Sequence, residues 1–145
     1  MLDRRWIAAH IPHQGGMCLL DSVREWSAER IRCVSASHRR ADNPLRNEGR
    51  LGAACGIEYA AQEMAVHGAL ITGDGKPPRQ GYLASVRCVA FNVDRLDDVE
   101  GDLDIAAERL AGDDDNILYH FEVRADGRVL LAGRAAVILN AEALK

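Results

Sequence analysis

Residues 51–70, LGAACGIEYAAQEMAVHGAL, decide the fold. Leu51, Ala54, Cys55, Ala65, Val66 and Ala69 recur at helical spacing, and Ile57, Ala60, Ala61 and Met64 fill the opposite side. A helix that is apolar all round is buried rather than laid on a surface. The stretch therefore predicts one long central helix with a sheet wrapped around it. Glu58 stands near its middle, and Gln62 follows one turn later on the same side. A buried carboxylate is costly unless it is paired, hydrogen-bonded or neutral. Two accounts fit Glu58. Either it points out through a gap or binds a nearby backbone group, or it is a general acid or base in an apolar site.

The flanking sequence supplies the sheet. Upstream, Met17–Trp26 and Arg30–Ser37 read as a strand pair, the second alternating Ile31, Cys33 and Ser35 against Arg32, Val34 and Ala36. Before them lies a short amphipathic piece around Trp6 and Ile7, then a turn at Pro12, Gly15 and Gly16. The polar segment from His38 to Arg50, broken by Pro44 and Gly49, reads as a loop leading into the helix. Downstream of Gly68, TGDGKPPRQG cannot continue a helix. Four strand-like segments follow: YLASVRCVAFNV, DLDIAAERLA, NILYHFEVR and RVLLAGRAAVILN. Asp126-Gly127 between the last two is a hairpin signal. Two strands, one helix and four strands give an α+β fold, a curved, mostly antiparallel sheet enclosing the helix in a single domain over residues 1–145. An exposed sheet edge would invite a second copy.

Composition narrows the function. A net charge of −4 argues against nucleic-acid binding, which needs concentrated basic residues. No apolar run is long enough to span a membrane, and the first residues lack the apolar core of a signal peptide. The four cysteines, Cys18, Cys33, Cys55 and Cys88, are widely spaced and read as reduced core thiols of a cytoplasmic protein. His10-x-x-His13 offers two ligands without a third, so no metal and no cofactor are expected. The Asp113–Asp115 run lacks the spaced ligands of a calcium loop. Ser35, Ser37 and Ser85 lack the setting of a nucleophile elbow. His38 and His120 read as surface residues, and His67 as a packing or capping residue at the helix end.

Three stretches carry a family resemblance. Pro12-His13-Gln14-Gly15-Gly16-Met17-Cys18-Leu19-Leu20-Asp21 is similar to the opening Pro-His-Arg-x-Pro-Met/Phe-Leu-Leu-x-Asp of the 3-hydroxyacyl-acyl-carrier-protein dehydratases. Glu58-Tyr59-Ala60-Ala61-Gln62 is similar to their Glu-x-Met-Ala-Gln, and the segment from Gly81 to Arg87 resembles the first strand after their helix. The nearest likeness is to the dehydratase-like subgroup of aryl-polyene and related polyketide-type lipid clusters. The resemblance implies a hotdog fold and a homodimer with the acyl chain in a tunnel at its interface. It also implies a lyase acting on 3-hydroxyacyl groups carried by acyl carrier protein or coenzyme A. Main-branch members carry Gly-His-Phe-Pro-Gly before the helix, where the histidine is the base. Here the loop is Ala41-Asp42-Asn43-Pro44-Leu45-Arg46-Asn47-Glu48-Gly49, without that histidine, and the helix-opening Pro-Gly is Gly52-Ala53.

Dehydration of such a thioester needs a base for the α-proton, an acid for the leaving hydroxyl and donors for the thioester oxygen. Glu58 is assigned as the acid, and backbone N–H groups from Gly52 and Ala53 to Ala54 as the oxygen's donors. His13 either serves as base or orders its own loop through backbone hydrogen bonds. Asn43, Arg46 and Gln62 are assigned to substrate binding. The basic pairs Arg39-Arg40 and Lys76-Arg79 would meet an acidic carrier. Two other readings use the same residues. A hotdog thioesterase needs Glu58 alone, and a catalytically silent acyl-binding or scaffolding partner needs no base.

Overall fold

The computed structural model describes residues 2–11, 15–72, 82–113 and 116–138. The chain opens with a two-residue strand β1 (Leu2–Asp3) and a helix α1 (Arg4–His10), which the sequence shows only as an amphipathic piece. The Asp3 carboxylate accepts the Trp6 N–H and caps α1, a standard way of satisfying an orphan donor. The strands β2 (Ser22–Trp26) and β3 (Arg30–Ser35) follow, then the central helix α2 (Gly56–Thr72). The chain continues through β4 (Tyr82–Phe91), β5 (Leu103–Gly112), β6 (Asn116–Ala125) and β7 (Arg128–Ile138). All seven strands pair antiparallel in one sheet, in the order β1-β2-β3-β5-β6-β7-β4. This is the expected α+β arrangement.

Period-two alternation drives the sheet onto the helix. In β6, Ile117, Tyr119, Phe121 and Val123 are buried while His120 and Glu122 face outward. The β6–β7 hairpin turns at Asp126 and Gly127, whose φ angles of 52° and 78° suit the right-handed twist of the strands. Helix α2 packs mainly across β3, β5 and β6.

The structure differs from the sequence reading in several places. Regular helix starts at Gly56 rather than Leu51, after a 3-10 turn over Ala53–Cys55. The cause is a short pairing with the 94–96 segment: Leu96 N–H donates to the Leu51 carbonyl and Ala53 N–H to the Asp94 carbonyl. That pairing holds Gly52 extended, with ψ at 152°. β2 starts at Ser22 rather than Met17, because Cys18, Leu19 and Leu20 are buried as irregular chain against α2. His38, expected on the surface, is fully buried in a 3-10 turn after β3.

Candidate functional site

The N-terminal end of α2 is fixed from behind. Asp97 accepts the Leu51 N–H at 2.9 Å and is itself gripped by Arg95, whose guanidinium holds the carboxyl well below its usual range. Within the described residues, the Gly52 and Ala54 N–H groups have no partner, whereas the Ala53 N–H is engaged by Asp94 and Ala53 itself is buried. A methyl group at Gly52 would meet no atom within 4 Å, and its φ of −63° is ordinary. Among the described residues nothing therefore requires glycine there. Close approach of another molecule to the backbone would.

Glu58 lies in the first turn of α2 and is exposed in the single chain. Of the two accounts of Glu58, the single chain shows a carboxylate that points outward. The buried one is Glu63, about 140° further round the helix and fully enclosed. Burial pushes the Glu63 carboxyl well above its usual range, with Cys33 and the Asp104 carboxylate among its neighbours. Neither of its oxygens has a well-formed hydrogen bond among the described residues. The same burial, reinforced by Glu63, pushes the Cys33 thiol up. Tyr59, Ala60, Glu63, Val66 and His67 share one helical face, and all five are buried.

The side of α2 that carries Glu58 is otherwise apolar and incompletely covered. Ala54 is exposed, and Ile57, Ala61 and Ala65 are half-buried. On β4, Leu83 is 40% and Phe91 46% exposed, although their partners Val137 and Leu131 on β7 are buried. Leu83 and Phe91 stand near the two ends of the edge strand, with Val86 and Val89 half-buried between them, so that the inner side of β4 presents apolar side chains that this chain does not fully cover.

The remaining candidates are internally engaged. Asn43 donates to the Ser37 carbonyl at 2.9 Å and to the Tyr59 hydroxyl at 3.1 Å, and its carbonyl accepts the Leu45 N–H at 2.9 Å. Burial raises the Tyr59 phenol. Arg46 donates to the Gly49 and His38 carbonyls, bracing the loop before α2. Gln62 is buried and clamps α2 to residues 17–19. His13 lies outside the described residues, as do Lys76 and Arg79. Arg39 is paired with Asp102 at 2.8 Å and Arg40 with Asp42 at 3.1 Å, both pairs exposed at the surface.

Two histidines are core groups. His38 Nε2 faces the Val99 carbonyl at 3.0 Å while Nδ1 has no well-formed hydrogen bond among the described residues, and burial lowers it from the usual imidazole range. His67 bridges the Tyr119 hydroxyl at 2.7 Å and the Ser27 carbonyl at 2.8 Å, also lowered by burial. Among the described residues no group of three or more His, Cys, Asp or Glu side chains is placed to hold a metal ion. No described helix is long and apolar enough to cross a membrane.

A family model described as ApeP-like, ApeP dehydratase, matches residues 6–144. The chain belongs to the ApeP-like dehydratase family. The solved dehydratase heterocomplex ApeI:P from Xenorhabdus doucetiae superposes with a TM-score of 0.83 at 24% identity, covering 94% of this chain and 92% of that one. A thioesterase from Haemophilus influenzae matches with a TM-score of 0.58 at 11% identity over 81% of this chain and 76% of its own. A thioesterase from Staphylococcus aureus gives 0.60 at 10%, over 82% and 92%. The structural likenesses establish the hotdog fold, and ApeP-like membership favours a dehydratase over a thioesterase. No curated protein matches in sequence.

Proposed function

We propose that this ApeP-like chain is a lyase that removes water from a 3-hydroxyacyl thioester on an acyl carrier protein, with Glu58 as its proton donor. The observation that carries this reading is local. Glu58 is the charged group in the first turn of α2, on an apolar, uncovered side, with the unpartnered N–H groups of Gly52 and Ala54 at the start of the same helix. Donors at a helix N-terminus suit the negative charge that develops on a thioester oxygen.

The steps follow from those groups. A base removes the α-proton, and the electron pair moves toward the thioester carbonyl, whose oxygen is held by Gly52 and Ala54. The pair returns to form the α,β double bond as the β-hydroxyl leaves, protonated by Glu58, as water. His13 is assigned as the base. The clamp of Gln62 on Met17 and Leu19 supports this by fixing the end of the His13 segment one helical turn from Glu58. A second chain of the same fold completes the site by covering α2 and β4. The ApeI:P relative, itself a heterocomplex, supports that arrangement.

The test is turnover of a 3-hydroxyacyl carrier-protein substrate by the purified chain, alone and with a hotdog partner. Appearance of the enoyl product that is lost in Glu58→Gln supports the reading. Free carrier thiol without enoyl product would make the chain a thioesterase. Binding without turnover in every mixture would make it a silent subunit, the reading motivated by the histidine-free loop at 41–49.

A further inference from the structure

One row of side chains on the outward face of the sheet is polar across five strands, and four of its five residues are charged. Register places Arg87 of β4 opposite Arg134 of β7, Arg134 opposite His120 of β6, His120 opposite Glu108 of β5, and Glu108 opposite Arg30 of β3. Arg87 and Arg134 end that row at the edge strand. Both are exposed, and neither has a carboxylate partner among the described residues. By contrast, Arg32 and Arg124 on the same face are each paired with an acid. Like charges directly opposite one another destabilise a strand pair. Here such a pair joins β4 to β7, and the other edge of β4, the strand that also exposes Leu83 and Phe91, has no partner strand among the described residues.

Two copies that meet along β4 must do so about a twofold axis, each presenting the same surface. β4 runs from Tyr82 to Phe91, so full overlap puts that axis beside Val86 and Arg87. The sheet would then carry Arg134, Arg87, and the same two residues of the copy, on four neighbouring strands. At a strand spacing of about 4.8 Å the four guanidinium groups span about 14 Å. Neighbours in that row, about 4.8 Å apart, lie within the screening length of about 8 Å at physiological salt. A copy therefore meets repulsion at the centre of the interface, while a chain with carboxylates at the matching positions completes the row with ion pairs.

We infer that Arg87 and Arg134 select the partner of this chain: they disfavour a second copy and favour a hotdog chain with Asp or Glu on the outward face at the middle of its own edge strand. The inference rests on the reading above that a second chain covers β4 and the Glu58 side of α2. It adds a charge code that tells partners apart.

The test needs only this protein. Full chains carrying Arg87→Glu with Arg134→Glu, or Arg87→Ala with Arg134→Ala, are compared with wild type by sedimentation, with thermal unfolding to check that each is folded. At low salt, about 0.05 M, the equimolar mixture of wild type and the Glu variant is expected to associate at least about tenfold more tightly than either alone, with the gain fading near 1 M salt. The Ala variant should self-associate more tightly than wild type. Wild type that dimerises as tightly as the mixture, or a mixture with no gain at any salt, overturns the inference. Because the readout is association, absent dehydratase turnover would count against the proposed function while leaving a positive charge-swap result standing.

Discussion

Gln62 Oε1 accepts the backbone N–H of Leu19 at 2.9 Å, 43 residues away in the chain, and its Nε2 donates to the Met17 carbonyl at 2.6 Å. The helix thereby fixes an irregular segment that no strand ladder supports. Gln62→Leu keeps the bulk but leaves the buried Leu19 N–H unpaired, a loss of about 1–3 kcal/mol. Chemical denaturation should show a lower midpoint with an unchanged slope, and hydrogen exchange should quicken first at Leu19. Unchanged protection at Leu19 would mean that packing, not Gln62, holds the segment.

Glu63 makes stability fall with rising pH. Its folded carboxyl titrates well above the usual range, so above about pH 4.5 the native chain binds a proton that the unfolded chain has lost. Each pH unit in that window costs up to about 1.4 kcal/mol. Glu63→Gln removes the titrating group, and Glu63→Met also removes the buried polar atoms. Denaturation measured between pH 6 and 8, conditions of about neutral pH, should show a declining wild type and flatter variants. Parallel wild-type and Glu63→Gln curves would place the ionisation elsewhere.

His38 and His67 act in the opposite direction. Both are lowered by burial from 6.5, so below that value the unfolded chain binds protons that the native chain excludes. Stability is therefore lost as pH falls, and together with Glu63 this predicts a maximum near about pH 6.5. His67→Gln should soften the acid limb while retaining one hydrogen bond to Tyr119 or Ser27. An acid limb unchanged in both His67→Gln and His38→Gln would refute this assignment.

The path from sequence to fold was short where one periodicity spoke alone. β5, β6 and β7 alternate cleanly, and Asp126-Gly127 marks their hairpin, so strand order and turn were readable. The start of α2 was not, because Leu51–Ala53 are helix-compatible residues held extended by distant carbonyl and amide groups at 94–96. The two glutamates show the same limit. Composition made α2 look apolar all round, yet which carboxylate is buried depends on which strands the helix crosses. It crosses β3, β5 and β6, which encloses Glu63 and leaves Glu58 facing outward. His38 was unreadable for a similar reason: its burial is completed by Val99, 61 residues later.

Gly52 and Glu58 separate chemistry from folding. Glu58 is exposed and Gly52 has free space around its Cα, so Glu58→Gln and Gly52→Ala should each change the stability of the isolated chain by no more than about 1 kcal/mol. Their effects on turnover should differ in kind. Glu58→Gln cannot donate a proton to the leaving hydroxyl, and a loss of about 10²–10⁴ in kcat is expected. Gly52→Ala leaves the acid intact but sets a methyl group where the thioester would approach the backbone N–H, raising KM and lowering kcat/KM by about tenfold or more. Steady-state kinetics on the assembled complex, with thermal unfolding of each isolated variant alongside, measures both. A Gly52→Ala chain that is as active as wild type would move the thioester oxygen away from the start of α2, and the role of the Ala54 N–H would go with it.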